Sequence, residues 1–415
     1  MKRALPLAVG VGLLAVSAPA SAQEEASERV GPPPVQYNFA PPGARSLAMG
    51  GAFIGLADDA TASESNPAGL TILTKPELSA QFRYSEFEST VPNTVTAVGF
   101  ETFTARVGSP SFFSVVYPWR KLAASLYYQR AADYRSASKF DGFLDEVTYN
   151  EDLVEVHFRT ENIGLSGAFK LGDKVSIGGS VRATRVRMDS TQAFAIVGPI
   201  VDDDLLFLER FQEVRAIDDS KIEMTFNAGI LFQPTPKLSV GAVYKRGADF
   251  DFTQTITPYV DGFGFGPELA DTPTSEPIRI TVPDVFGGGL AFKPTDQLTI
   301  VADVVRVEYS DADLGESGQS GYQRFGEGGR EPLKDATEFH AGLEYTWSGG
   351  NDWIFSFRSG FYSNPDHDGL GGVDSEQIHA TFGGGVVFKS QLQVDLALNV
   401  ADSIKEGLIS FVVRF

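Results

Sequence analysis

Long stretches of the chain alternate apolar and polar residues with a period of two, and few folds accommodate such a pattern. Between residues 391 and 401 every second residue is apolar, and the residues between them are polar or small. The same alternation runs through residues 222–232, 338–347, 353–360 and 378–388. Successive side chains of a β-strand point to opposite faces, so each stretch predicts a strand with one apolar and one polar face. At about ten residues, these strands exceed the usual five to six of soluble sheets.

An aqueous β-sandwich shows the same alternation, so other features must separate it from a membrane barrel. The apolar faces include Ala and Gly in mid-strand, which lipid tolerates better than a densely packed core does. Bulky aromatic residues stand near the strand ends, as in the aromatic girdles of transmembrane barrels; they are Tyr345, Trp347, Trp353, Phe361, Phe388 and Phe415. Together with strand length, these features favour an all-β transmembrane barrel.

Turn chemistry predicts how the strands connect. Short polar links, such as residues 172–174, 234–236 and 389–390, alternate with long ones, such as residues 190–220 and 252–281. Short turns on one rim and long loops on the other are typical of outer-membrane barrels. We predict fourteen antiparallel strands, which begin near Glu77, Pro110, Lys121, Val154, Val175, Lys221, Leu238, Val282, Gln297, Asp335, Asp352, Gln377, Gln391 and Lys405.

The first 22 residues predict a secretory signal peptide. Lys2 and Arg3 precede an apolar run over residues 4–16, and residues 20–22 form an A-x-A cleavage site. No later stretch approaches 18 consecutive apolar residues, so no transmembrane helix is predicted. An exported chain of this kind is either soluble or spans a membrane as a closed barrel, which satisfies its own backbone hydrogen bonds in lipid.

The composition excludes several classes of function. The chain has no Cys, which rules out disulfides, Cys-ligated zinc, Cys nucleophiles and a lipoprotein anchor. Its 54 acidic and 34 basic residues give a net charge of −20, which repels nucleic acid. The four His are scattered, and no nucleophile-elbow, zinc-protease or P-loop motif occurs. We therefore predict no catalytic residue, no metal site, no cofactor and no enzymatic activity.

A segment rich in small residues precedes the first predicted strand. Residues 23–43 carry five Pro and predict an extended chain. Asp58 is predicted to cap a short helix that starts near Asp59, and Asn66 with Pro67 to end it. A fourteen-strand barrel is too wide for its own side chains to fill, so a plug must occupy the lumen or an aqueous channel results. We assign residues 23–76 to an N-terminal extension and hatch, and residues 77–415 to the barrel.

Three short motifs in this segment resemble the hatch of the FadL/TodX outer-membrane family. They are Met-Gly-Gly-Ala at 49–52, Ala-Asp-Asp-Ala at 57–60 and Asn-Pro-Ala-Gly-Leu at 66–70. The resemblance is most specific over residues 45–73, and beyond them it is architectural, with fourteen strands and an aromatic terminal Phe415. It implies that the hatch and gating residues are Asp58, Asp59, Asn66, Pro67, Ala68 and Gly69.

That family takes up long-chain fatty acids and hydrocarbons. The resemblance implies a monomeric, plugged barrel in the outer membrane of a Gram-negative bacterium, which contacts membrane lipid and binds a hydrophobic small molecule. Long external loops would capture the ligand and an internal pocket would receive it. A change in the hatch would then release it sideways through a gap at a kinked third strand. That strand falls near residues 121–132, in which no residue marks the kink.

The residues themselves also indicate where a ligand binds. Exposed apolar residues of the long loops either bind something apolar or pack the loops against each other. The third long loop carries Leu205, Leu206, Phe207, Leu208 and Phe211 after three Asp residues, and the fourth carries Phe263 and Phe265. Phe207, Phe211 and Val214 recur at helical spacing, which predicts a helix in the third loop. On the inward faces, Arg182 and Arg358 either contact a ligand carboxylate or form ion pairs within the lumen.

Three functions fit these features. We prefer a channel for passive uptake of long-chain fatty acids or hydrocarbons, which the hatch motifs and the apolar loops support. A porin for polar solutes is the first alternative, and the N-terminal segment argues against it. A secretion partner or envelope scaffold without transport is the second.

Overall fold

The computed structural model describes residues 42–415 except 94–98, 144–148, 203–204, 263–267, 270–271, 312–334, 367–374 and 403. The predicted signal peptide, residues 23–41, Phe263 and Phe265 therefore lie outside the described residues. Within the described part, no helix is long and apolar enough to cross a membrane.

Short helices come first in the described chain, and strands make up nearly all of the rest. The helices are α1 (Ala44–Ala48), α2 (Ala62–Ser65) and two 3-10 helices at Pro67–Ile72 and Tyr309–Asp311. The strands are β1 (Glu77–Asn93), β2 (Gly99–Trp119), β3 (Leu122–Phe143), β4 (Tyr149–Lys170), β5 (Val175–Asp202), β6 (Leu205–Thr235), β7 (Leu238–Lys245), β8 (Ala248–Gly262), β9 (Glu268–Leu269), β10 (Thr274–Val282), β11 (Val285–Phe292), β12 (Leu298–Val307), β13 (Ala336–Gly350), β14 (Trp353–Asp366), β15 (Ser375–Phe388), β16 (Leu392–Val400) and β17 (Ile404–Arg414).

All strands belong to one antiparallel sheet that closes on itself, because β1 pairs with both β2 and β17. Two spanning strands are interrupted. β7 and β8 form one strand broken at Arg246 and Gly247, and β10 and β11 form its neighbour, broken at Pro283 and Asp284. When each interrupted strand is counted once and the two-residue β9 is left out, the barrel has fourteen strands, and the prediction is confirmed.

Burial along the strands is the reverse of that in a soluble protein. In β16, Leu396 and Leu398 are more than half exposed, whereas Asp395 and Asn399 are fully buried. Other strands repeat the pattern, with apolar side chains outside and polar ones inside. An aqueous sandwich places its apolar face in the core, so this arrangement excludes it and requires lipid around the barrel.

Several strands extend far into the predicted loops. The segment from Leu205 to Val214 is not a helix, as its spacing suggested, but part of β6, paired with β5 from Asp202↔Leu205 onward. The error has a physical reason, because the same residues are aromatic and branched apolar types that also favour strands. An adjacent strand supplies the backbone partners, and pairing with it overrides the local helical spacing.

The described N-terminal residues, 42–76, lie inside the barrel, and we call them the hatch segment. Almost all of its side chains are buried. Inward-facing glycines of the wall let it approach closely. A Cβ at any of these positions would overlap the hatch segment: Gly178, Gly229, Gly241, Gly287, Gly289, Gly342, Gly360 and Gly383. The wall therefore forms a glycine-lined groove around the hatch segment.

Candidate functional site

Asn66 joins two parts of the hatch segment to the wall. Its side-chain amide donates to the carbonyl oxygen of Ile54 at 2.9 Å and to that of Ile230 in β6 at 3.2 Å. Its Oδ1 accepts from the Ala68 amide, so it also caps the 3-10 helix that Pro67 begins. Asn66 is the predicted end of α2 and is fully buried. No other side chain of its size supplies both two donors and an acceptor.

The acidic pair does not act as the predicted helix cap. Thr61 precedes α2, and Asp59 Oδ1 accepts from the Thr61 amide and hydroxyl at 2.9 and 2.6 Å. Asp58 instead forms an ion pair with Arg45, which also forms a double hydrogen bond with Glu344 of β13 at 2.9 Å. The prediction failed because a buried guanidinium outcompetes a single amide for the carboxylate. Burial raises the pKa of the Asp59 carboxyl above its usual value, although Arg45 lowers it in part.

Arg358 belongs to the same ion-pair network. It donates to Glu344 at 2.6 Å and to Asp395 at 2.8 Å, and it is 2% exposed. Arg358 thus binds two carboxylates of the wall, one of which also binds Arg45 of the hatch segment, and its side chain is buried. Of the two alternatives that the sequence leaves open for this residue, its geometry fits the ion pair.

Arg182 has a different setting, because it binds the hatch segment at the edge of a cavity. Glu64 of α2 accepts from Lys245 Nζ at 2.8 and 3.0 Å and from Arg182 at 3.2 Å. All three are buried, and the same cavity is lined by Arg246 and by apolar residues near the breaks of β7/β8 and β10/β11. We call it the cationic cavity. Its charged side combines three cations with one hatch carboxylate.

An apolar cluster inside the barrel borders the cationic cavity. Its buried members are Ala132, Phe158, Val186, Ile217, Phe250, Phe252 and Ile280, and Ala248 and Val282 pack against them. Ala132, Ala248 and Val282 also line the cavity. An amphiphile whose tail packs in the cluster would thus place its head group beside Arg182 and Lys245.

The barrel wall has a seam at its third strand. β2 and β3 pair only from Trp119↔Leu122 to Phe112↔Gln129. Beyond this point β2 pairs with β1 and β3 with β4, so the remaining described parts of the two strands are not paired with each other. The register of β3 with β4 also shifts at Ala131. We call this unpaired stretch the β2–β3 gap. It lies at the strand for which the resemblance implies a kink.

Sequence reasoning predicted ligand contacts in the long loops and did not find the internal apolar cluster. Leu205, Leu206, Phe207, Leu208 and Phe211 lie on the β5–β6 hairpin, whose backbone alone is described there. A signal for the cluster was present. Phe158 and Val186 occupy the same strand phase as Thr160 and Thr184, so they are apolar residues on a polar face.

Comparison with protein families places the chain beside transport proteins. The sequence profile described as outer membrane protein transport protein (OMPP1/FadL/TodX) matches residues 41–405. That match spans the described hatch segment and nearly the whole barrel. No curated protein matches the chain.

Solved structures share the fold at low sequence identity. A FadL homologue of Pseudomonas aeruginosa has 13% identity and a TM-score of 0.65, with 93% of this chain and 98% of that one covered. The toluene transporter TodX of P. putida has 15% identity and a TM-score of 0.62, at 91% and 99% coverage. The toluene transporter TbuX of Ralstonia pickettii has 18% identity and a TM-score of 0.58, at 92% and 100% coverage.

Proposed function

Because the chain belongs to the OMPP1/FadL/TodX family of outer membrane transport proteins, we propose that it carries hydrophobic molecules passively across the outer membrane through a hatch-gated barrel. The ligand enters the lumen from the side of the long loops and packs against the internal apolar cluster. It then reaches the cationic cavity and leaves sideways through the β2–β3 gap. The residues that gate this route are those of the hatch motifs, Asp58, Asp59 and Asn66 to Gly69.

The cationic cavity is the feature that favours one substrate class, fatty acids, over the other, hydrocarbons. Two of the solved relatives are named as toluene transporters, and toluene has no anionic group to pair with a cation. Arg182 and Lys245 beside the apolar cluster favour an amphiphile with a carboxylate head, so we propose long-chain fatty acids rather than hydrocarbons. Glu64 then holds the site until the ligand carboxylate replaces it, because charge-assisted hydrogen bonds favour either anion.

Uptake by cells that lack their own transporter tests both statements. Cells carrying the intact chain should take up a labelled long-chain fatty acid, and replacement of residues 66–69 by a Gly/Ser run should change the rate clearly. Arg182→Gln should reduce fatty-acid uptake about tenfold and leave toluene uptake unchanged, because the charged donor that faces the carboxylate becomes a neutral amide. The amount of folded barrel at the cell surface must be the same for all variants. Equal uptake with and without the protein would exclude fatty acids.

The exit through the β2–β3 gap is tested by closing it. The chain has no native Cys, so Ser111→Cys and Ala132→Cys can be joined by a bifunctional thiol reagent. Uptake should fall by at least fivefold in the bridged protein and recover when a cleavable linker is cut. The control joins Tyr117→Cys to Ala124→Cys, which already pair in the sheet, and there bridging should have no effect. Unchanged uptake in the bridged gap would reject the lateral exit.

A further inference from the structure

A second cavity lies inside the β2–β3 gap, and the route proposed above does not use its chemistry. It is lined by residues of β1, β2 and β3 on one side and by residues of β13, β14, β15 and β17 on the other. The space open to the centres of water-sized molecules is about 50 Å³, whereas one water needs roughly 10–15 Å³. We call it the gap cavity. It has room for a small polar group.

His379 of β15 offers the gap cavity an acceptor. Its Nδ1 lies 3.2 Å from Asn399 Oδ1. The Asn399 amide nitrogen donates to Tyr362 and to Glu406, which fixes Oδ1 as the acceptor towards His379. The Nδ1 atom must therefore carry the ring proton, and in the neutral ring Nε2 is an acceptor. That Nε2 has no hydrogen-bond partner, although the residue is 2% exposed.

Arg83 of β1 offers the same cavity a donor. Its Nε is buried and has no hydrogen-bond partner, and the residue lines the same cavity as His379. Buried polar atoms without partners are uncommon, and each calls for a water, an ion or a ligand. Here a donor and an acceptor without partners belong to two residues that line one cavity, which is more specific than either alone.

The charges around the gap cavity oppose an anion. Glu338 and Glu406 both line it, and Glu338 lies 3.2 Å from His340 Nε2 while Glu406 accepts from Ser85 at 3.0 Å. Asp133 is a third acidic lining residue, paired with Arg130. Three carboxylates accompany two guanidinium groups, so a further carboxylate would meet repulsion. An uncharged group meets none.

We propose that the gap cavity is a subsite for a hydroxyl group on an otherwise apolar ligand. The ligand oxygen accepts from Arg83 Nε–H, and its O–H donates to His379 Nε2, so both partnerless atoms are satisfied at once. The apolar body of the ligand lies along Phe87, Val107 and Ile404, which also line the cavity. The subsite thus selects alcohols and phenols over hydrocarbons of the same shape. Its part in transport rests on the proposed function, whereas its binding does not.

The test measures binding alone, so that its failure and a failure of uptake remain distinct. The full chain in lipid nanodiscs is titrated with 1-naphthol, naphthalene and 1-naphthoate, whose intrinsic fluorescence reports binding over empty nanodiscs. The unsubstituted protein should bind 1-naphthol about tenfold more tightly than naphthalene, the ratio expected for two hydrogen bonds in a site that water also fills. A ratio below twofold would overturn the proposal without any variant.

Two variants locate the effect. His379→Phe and Arg83→Met keep the approximate size of each side chain but remove the acceptor or the donor. Each should reduce the ratio of the affinity for 1-naphthol to that for naphthalene to about two or less. His157→Phe is the matched control, because His157 does not line this cavity and its Nε2 already has a partner in Asp133. The proposal would be contradicted if both variants kept the preference for naphthol. It would also be contradicted if a variant that loses this preference lost naphthoate binding as well. The variants lie on different strands, so misfolding of one leaves the other informative.

Discussion

Single charged residues in the lumen attach the hatch segment to the wall in addition to its apolar contacts. Glu64, Arg45 and Asp303 each join the hatch segment to the wall, and Asp303 Oδ2 accepts from the Phe53 and Ile54 amides at 2.6 and 2.8 Å. Such bonds stabilise the closed hatch only while each charge keeps its partner, since an unpaired buried charge is costly. They can therefore be broken one at a time by substitution or by a competing ligand.

Glu64→Gln should loosen α2 without unfolding the barrel. The substitution leaves Lys245 and Arg182 facing a neutral amide, and breaking a buried pair on one side costs about 3 kcal/mol. Hydrogen exchange of the amides at residues 62–66 should accelerate by roughly two orders of magnitude. Arg106→Gln is the control, because its pair with Glu86 is on the exposed outer wall. This substitution should leave the hydrogen-exchange rate of the α2 amides unchanged. An unaltered rate in Glu64→Gln would mean that other contacts hold α2.

The sequence indicated the residue types of the hatch but not their partners. Asn66 and Pro67 were predicted to end a helix, and Asn66 does so, because capping depends on local backbone chemistry. Asp58 was assigned to a local cap and instead binds Arg45, which in turn binds Glu344 almost 300 positions further on. Such long-range pairs leave no trace in local spacing.

At the scale of elements, glycines on one strand serve two opposite surfaces. In β11, Gly288 faces open space, whereas Gly289 faces Gly55 of the hatch segment and Asp303 of β12. The period of two that predicts the strand also sorts these neighbours. The structure shows that the hatch segment approaches this strand closely on one face only.

This pair gives a prediction with an internal control. Gly289→Val should displace the hatch segment, because no space exists for the added side chain, and the open-channel conductance in planar bilayers should rise severalfold. Gly288→Val adds the same atoms to the lipid-facing side, where they meet nothing, and conductance should stay at the level of the unsubstituted protein. Equal conductance of the two variants would show that the hatch accommodates the change without moving.

Strand number and face were readable from the sequence, whereas strand length was not. Alternation in the membrane is enforced by lipid, so it predicted all fourteen strands. Outside the membrane lipid no longer enforces the alternation, and the constraint on residue type is weak there. The hairpin that joins them was therefore predicted as a loop, although its backbone pairs as far as Asp202↔Leu205.

For the whole molecule, closure of the wall and docking of the hatch are separate sources of stability. The wall closes through continuous β1–β17 pairing from Glu77↔Arg414 to Phe87↔Ile404, which involves no hatch residue. If the hatch segment is absent, water fills the lumen and hydrates the charged side chains that the hatch segment had contacted. Keeping these side chains ionised therefore costs little free energy.

Deletion of residues 42–73 should thus leave a folded barrel with an open lumen. We expect the shortened protein to keep the heat-dependent gel mobility of a folded barrel and to pass small ions steadily. A deletion of equal length within the β5–β6 hairpin serves as the control, and it should conduct no better than the intact chain. A shortened protein that fails to fold would show that the hatch is needed to assemble the wall.

The length of β5 and β6 sets how far the protein reaches from the cell. The outer apolar face of β5 ends near Arg185, which is exposed, and the strand continues to Asp202. At about 3.3 Å per residue and a tilt near 40°, that continuation rises roughly 40 Å above the bilayer. An antibody or a virus approaching the cell would therefore meet this hairpin before the lipid, and a hydrophobic solute would meet it while still in the surrounding medium.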